Sequence, residues 1–322
     1  MDQGSTVPAQ NSSYRGRFAP SPTGSLHLGL ARTALLAYLR ARSENGAFLL
    51  RSEDIDTPRV LPGSLASILD DLRFLGISWD EGPDLSGPFA PYEQSQRSER
   101  YEQAIELLRA RGLVYPCTCS RKEIALASAP HGPSEFGAPY PGTCRLAPSR
   151  PGAPAALRFR VPDVLPSFVD ALTGRTAEPL AQGDFVLRRA DGLYSYHLAV
   201  VVDDIAMQVS EVVRGADLSG CTGLQLALYD ALGAAHPHFA HVPLLMGADG
   251  KRLSKRDQAS GIGELRARGK RADELVGELL ASAGLAPHGT RIMPDEAVAR
   301  FSWQQLGVEA RAQNTDALKS DP

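Results

Sequence analysis

Apolar residues along the chain follow two periods, and the switches between them mark the elements. A strand-like run from Tyr14 to Ala19 breaks at a loop rich in proline and glycine. Apolar positions then recur at Leu28, Ala31, Leu35 and Leu39, the spacing of one helix face. Ala47 to Arg51 reads as a second strand and runs into the acidic Glu53-Asp54-Ile55-Asp56. Pro62-Gly63-Ser64 opens a helix whose apolar face is Leu65, Ile68, Leu69, Leu72 and Leu75, and Gly76 ends it. Ser98 is placed to cap another helix, with Tyr101, Ile105 and Leu108 on one face and Gly112 as its stop. Strands alternating with helices predict a parallel sheet.

Between about Val114 and Pro179 prolines and glycines crowd together and the pattern is lost, as for an insertion into the sheet domain. Alternation then resumes. The continuous apolar run Leu198 to Val202 suits a strand buried on both faces, and Val209 to Val213 and Val242 to Met246 suit two more. Asp203 and Asp204 follow the first run and Arg214 the second, as where parallel strands deliver polar side chains to a crevice at their carboxyl ends. A basic stretch, Arg266 to Arg271, precedes a helix with Leu275, Val276, Leu279 and Leu280 on one face.

The expected organisation is a disordered leader over 1–13, a Rossmann-like catalytic first half over 14–113, and an insertion over 114–183. A second catalytic half over 184–261 and a short helical region over 262–322 complete it. The fold class is α/β: a parallel-sheet nucleotide-binding domain carrying an inserted α/β subdomain.

The 322 residues suffice for a large buried core. With 34 basic and 37 acidic residues the net charge is −3, which argues against a general nucleic-acid binder and confines any RNA contact to local patches. Met1 to Ser13 has neither a basic n-region nor an apolar h-region, so no signal peptide is expected, and no apolar run reaches membrane-spanning length. Four cysteines, three of them clustered, do not form a disulfide framework, and a reducing cytoplasm fits them.

Two motifs carry candidate chemistry. Pro20-Ser-Pro-Thr-Gly-Ser-Leu-His-Leu-Gly29 lies at a strand-to-helix junction, where free backbone N–H groups and the helix dipole favour phosphate. His27 can donate a hydrogen bond to a phosphate, and Gly29, lacking a Cβ, lets a purine approach the backbone. Far downstream, Lys251-Arg-Leu-Ser-Lys255 follows a Gly-Ala-Asp-Gly loop and could clamp a transferring phosphoryl group. Either motif alone also reads as an ordinary helix start or a solvated basic loop.

Cys117-Thr-Cys119 and Cys144 put three soft ligands within reach of one ion, a set suited to structural zinc. On chemistry alone His131 is the natural fourth ligand, since neutral imidazole binds zinc more readily than phenol does. Cys221 stands apart as a buried small hydrophobe.

The order and flanks of these motifs, with "GRFAPSPTGSLHLG", "RSEDID", "WDEGP", "VVVDD" and "GKRLSKR", resemble the glutamyl branch of the class I aminoacyl-tRNA synthetases over roughly Arg15 to Arg256. The resemblance implies a glutamate site at Arg17, Phe18, Ala19, Pro20, Ser21, Glu53, Tyr196 and Arg214, and an ATP site at His27, Gly29 and Lys255. His27 and Lys255 would be the catalytic pair. Two arginines and one carboxylate complement a ligand with two carboxylates and one ammonium. Taken singly, Arg17 and Arg214 read equally well as surface residues at strand ends, and Tyr196 as a core aromatic.

The cluster C-x-C followed by Y-x-x-x-C resembles that of the glutamyl-queuosine synthetases, which implies Tyr140 as the fourth zinc ligand. A longer proline-rich stretch before Tyr140 departs from that pattern and keeps His131 in contention. The resemblance implies adenylation of L-glutamate by ATP with Mg²⁺, then transfer to the queuosine base of tRNA(Asp). The short region after Lys255 is read as lacking an anticodon-binding domain, and no membrane or obligate protein partner is implied. Alternatives are a truncated glutamyl-tRNA synthetase charging a 3′ end and a non-catalytic zinc-containing RNA-binding module.

Overall fold

In the computed structural model, which describes residues 14–120, 122–124, 139–174, 176–177, 183–245, 261–302 and 306, strands and helices alternate around a central parallel sheet. The first half runs β1 (Arg15–Phe18), α1 (Leu28–Ser43), β2 (Ala47–Leu50), α2 (Ser64–Phe74) and α3 (Ser98–Ala110). β3 (Val114–Cys117), β4 (Ala156–Phe159), β5 (Phe168–Val169), β6 (Thr176–Ala177) and β7 (Val186–Arg188) follow. The second half runs α4 (Tyr196–Ala206), β8 (Glu211–Gly215), α5 (Thr222–Leu232), β9 (His238–Val242), α6 (Ile262–Ala267), α7 (Ala272–Ser282) and α8 (Pro294–Val298).

β1 pairs in parallel with β2, and β8 in parallel with β9. The two pairs meet edge to edge where Ser210 N–H donates to the Arg15 carbonyl at 3.0 Å. Successive strand residues face opposite sides. Phe48, Leu50, Val213, Ala240 and Val242 pack toward α1, α2 and α7, while Leu49, Val212 and Phe239 pack toward Leu226 of α5. A sheet covered on both faces is what parallel pairing requires. β3, β4 and β7 form a separate antiparallel sheet with β4 at its centre.

Three expectations are corrected. Leu198 to Val202 belongs to helix α4, not to a strand: Ser195 caps it, its Oγ accepting from Leu198 N–H at 3.3 Å. Every residue from Leu198 to Asp204 is buried, and a helix enclosed on all sides shows no amphipathic period. Asp203 and Asp204 therefore sit inside a helix rather than beyond a strand. The strand expected at Val242 to Met246 instead spans His238–Val242. Ser98 is the first helical residue of α3 and Arg97 occupies the cap position without a side-chain cap. The leader, His131, Lys251 to Lys255 and nearly all of 303–322 lie outside the described residues.

Candidate active site and cysteine cluster

A cavity of about 410 Å³ opens at the carboxyl ends of β1, β8 and β9. Arg17, Phe18, Ala19, Pro20, Ser21, His27, Gly29, Glu53, Tyr196 and Arg214 all line it. The structure thus gathers in one crevice residues separated by up to about two hundred positions. Lys255 lies outside the described residues.

Beneath the cavity is a buried ionic network. Asp204 Oδ1 accepts from Arg51 Nη1 at 2.6 Å and from Arg17 Nε at 3.3 Å, and Arg51 Nη2 donates to Glu53 Oε1 at 3.1 Å. Burial alone would raise the Asp204 carboxyl, but Arg17 and Arg51 outweigh it and hold the group below the ordinary carboxylate range. Burial pushes Glu53 up, against the opposing pull of Arg51 and Arg17.

Arg214 is also buried, yet its hydrogen-bond partners are neutral: His241 Nε2 at 3.1 Å, Gln225 Oε1 at 2.7 Å, Thr222 Oγ1 at 2.7 Å and the Leu218 carbonyl at 3.1 Å. Within this buried set three guanidiniums face two carboxylates, leaving one positive charge in excess. Asp217 also lines the cavity, from the turn after β8, and is only partly buried. A buried excess cation is costly unless a ligand brings its anion. An amino acid with two carboxylates and one ammonium, net −1, supplies it.

At the other end of the cavity His27 caps α1. Its Nδ1 accepts from Leu30 N–H at 3.2 Å, which places the proton of the neutral ring on Nε2. A Cβ at Gly29 would meet only ordinary contacts, 3.5 Å from the His27 ring and 3.9 Å from Leu245. The protein itself therefore has room for a side chain there, and the space belongs to the cavity. Gly261 bridges to His27, and Ile262 N–H donates to the Leu26 carbonyl at 2.8 Å. Leu245 and Gly261, which flank the segment carrying Lys255, both lie against the His27 turn.

Sequence reasoning did not find Arg51, Arg32 or His241, nor the pairing of Asp204. Arg32 is buried, its basicity lowered to about 10 by burial, and donates to the Pro243 carbonyl on the cavity wall. Apolar neighbours conceal such residues in the sequence: Arg51 simply ends a run of buried strand positions.

Three cysteines meet beside the last residue of β3. Metal-ligating atoms of Cys117, Cys119 and Cys144 all lie within 4.8 Å of one another. Cys119 Sγ is 3.5 Å from Cys144 Sγ, and Tyr140 Oη is 3.3 Å from Cys117 Sγ and 3.9 Å from Cys119 Sγ. Thiolates at about 2.3 Å from one tetrahedral ion stand about 3.8 Å apart, so the cluster fits a single metal. Burial would raise the Cys144 thiol, but hydrogen bonds from Ser149 and from backbone bring it down to about 5, leaving a thiolate ready to ligate. Burial and the Cys117 contact raise the Tyr140 phenol, whose ring carries the Arg158 guanidinium at 3.8 Å.

A parallel sheet covered on both faces, with a charged crevice at its carboxyl ends and a capped helix start within it, is the layout of an α/β catalytic domain. The chain belongs to the family described as tRNA synthetases class I (E and Q), catalytic domain, which matches residues 13–320. It is 48% identical over 314 residues to a glutamyl-Q tRNA(Asp) synthetase of Nitratidesulfovibrio vulgaris, covering 94% of this chain and 97% of that protein. A glutamate–tRNA ligase of an Anaeromyxobacter species is 40% identical over 306 residues, 65% of its length. Among solved structures, the glutamate-tRNA synthetase of Elizabethkingia anophelis superimposes with a TM-score of 0.78 at 29% identity, over 94% of this chain and 69% of that one. Among the described residues no helix is long and apolar enough to cross a membrane.

Proposed function

We propose that this protein activates L-glutamate with ATP to glutamyl-adenylate and transfers the glutamate to the queuosine base in the anticodon loop of tRNA(Asp). The observation that carries the first step is the buried charge set, whose single positive excess matches glutamate and mismatches glutamine. The near-complete mutual coverage with a glutamyl-Q tRNA(Asp) synthetase supports the second.

Arg214 takes the side-chain carboxylate, Arg17 steadies the other carboxylate, and Glu53 with Tyr196 holds the ammonium end, floored by Phe18 to Ser21. The α-carboxylate oxygen attacks the α-phosphorus, the bond to the β-phosphate oxygen breaks, and pyrophosphate leaves. His27 donates through Nε2 to the phosphate oxygens, and the backbone at Gly29 faces the purine. Lys255 joins His27 as the second catalytic cation, a reading supported by the anchoring of both flanks of its segment beside His27. Mg²⁺ enters with the nucleotide.

Cys117, Cys119, Cys144 and Tyr140 would hold a zinc ion, which would supply structural closure to a segment whose own apolar cluster is small. The exchange of labelled pyrophosphate into ATP tests the activation step: glutamate drives it and glutamine does not. Exchange driven equally by both amino acids would refute the charge-matching argument.

A further inference from the structure

We infer that Asp170 and His241 form a positioning pair that aims Arg214 at the ligand's side-chain carboxylate while leaving its charge unneutralised. The inference rests on the assignment of Arg214 to glutamate made above.

Strand register builds the row. Arg214 of β8 lies directly opposite His241 of β9, and Asp170 bridges to Phe239 on the far side of β9. The three side chains thus run across neighbouring strands on one face. An arginine only donates, so the 3.1 Å contact from Arg214 Nε requires His241 Nε2 to be the acceptor. The ring proton then sits on Nδ1, 2.8 Å from Asp170 Oδ2, and the same oxygen accepts the His241 backbone N–H at 3.0 Å. Asp170 Oδ1 is held by Leu172 and Thr173 N–H groups at 3.1 and 2.9 Å. Every acceptor on this carboxylate is aimed.

The groups acting on His241 come from several elements: Asp170 after β5, Arg214 of β8, the Asp217 carboxylate in the turn after β8, Thr222 of α5 with Oγ1 at 3.2 Å, and the Phe168 and Phe239 rings. Burial lowers the imidazole's basicity, opposed by Asp170 and more weakly by Asp217, and Arg214 lowers it further; the net shift is downward. Phe239 also stacks beneath the Arg214 guanidinium at 4.9 Å.

The physical point is the insertion of a neutral ring between anion and cation. A carboxylate placed directly on Arg214 would orient it but also neutralise it and compete with the ligand. An imidazole locked in one tautomer by Asp170 orients the guanidinium and leaves its charge for the substrate. Neither Asp170 nor His241 lines the cavity. They act through Arg214.

The test uses the full chain with ring-¹⁵N histidine, and pyrophosphate exchange on the same preparations. The His241 resonances, identified by their loss in His241→Gln, are expected to show a neutral ring protonated on Nδ1. Asp170→Asn is expected to raise the KM for glutamate about tenfold, leave the KM for ATP unchanged and narrow the preference over glutamine. His241→Gln, whose amide oxygen can accept from Arg214, is expected to recover more of the glutamate affinity than His241→Leu. A ring protonated on Nε2 in the unmodified protein would overturn the pair. Arg214→Gln separates the two claims. An unchanged glutamate KM there refutes the assignment of Arg214, whereas a raised KM there with an unchanged one in Asp170→Asn and His241→Leu refutes the positioning pair alone.

Discussion

Arg51 Nη1 lies 2.6 Å from Asp204 Oδ1 across 153 positions of sequence, and Arg17 approaches that same oxygen at 3.3 Å. One carboxylate on helix α4 therefore sets the spacing of two guanidiniums from the first strand pair. Arg51 is 0% exposed, so it shapes the site from below while Arg17 lines the cavity. Replacing Asp204 with asparagine leaves two buried cations sharing Glu53. The expected outcome is a loss of about 3 kcal/mol in urea unfolding together with a raised KM for glutamate. Unchanged stability and KM would show that the network is incidental.

The tautomer of His27 allows its two roles to be separated. Asparagine is a strong N-cap, so His27→Asn keeps the acceptor for Leu30 N–H and loses the ring donor. Thermal stability is expected to hold while kcat for pyrophosphate exchange falls about a hundredfold. A drop in melting temperature with kcat retained would make His27 a cap and nothing more.

Lys255→Ala is expected to abolish adenylate formation and leave bound zinc unchanged, because the two sites lie in different parts of the chain. Adenylate measured at the unmodified rate would remove that lysine from the mechanism.

How much of this was readable from sequence depended on whether local rules decided the outcome. The Leu28–Ser43 helix and its loop were legible, because an apolar stripe and a strand-to-helix break are local signals. The Leu198–Val202 segment was not: an unbroken apolar run fits a buried strand and a buried helix equally, and only the Ser195 cap distinguishes them. The cavity gathers the residues named from the motif resemblance apart from Lys255, which lies outside the described residues, yet the sequence carries no trace of which carboxylate holds which arginine. Asp204 meets Arg51 only because α4 packs where a strand was expected. His241 was hidden for the same reason, since register with Arg214 exists only in the folded sheet.

His197 contributes to the pH dependence of stability. Burial lowers its basicity to about 4 from an ordinary 6.5, with Arg214 pushing the same way, and among the described residues its Nδ1 has no hydrogen-bond partner. The unfolded chain therefore binds a proton that the native chain refuses, and stability declines as pH falls from about 6.5 to about 4. Urea midpoints measured across that window are expected to fall in the unmodified protein and to fall less steeply in His197→Asn, with His241 supplying the remaining slope. An equal slope in both proteins assigns the effect elsewhere.

Metal analysis of two variants decides the fourth ligand of the cysteine cluster. Tyr140→Phe is expected to lose zinc or bind it weakly, while His131→Ala retains it. Chelation of the unmodified protein is expected to unfold the segment around the cysteines, with the Tyr115, Cys117, Tyr140 and Cys144 cluster losing protection in hydrogen exchange. Full retention of zinc by Tyr140→Phe would move the ligand to another group.

The acceptor is the central claim, and one measurement reaches it directly. The protein is incubated with ATP, labelled glutamate and either tRNA(Asp) bearing queuosine or tRNA(Glu), and label on each RNA is counted. Label is expected on queuosine-containing tRNA(Asp) and absent from tRNA(Glu). Label on tRNA(Glu) alone would contradict the account.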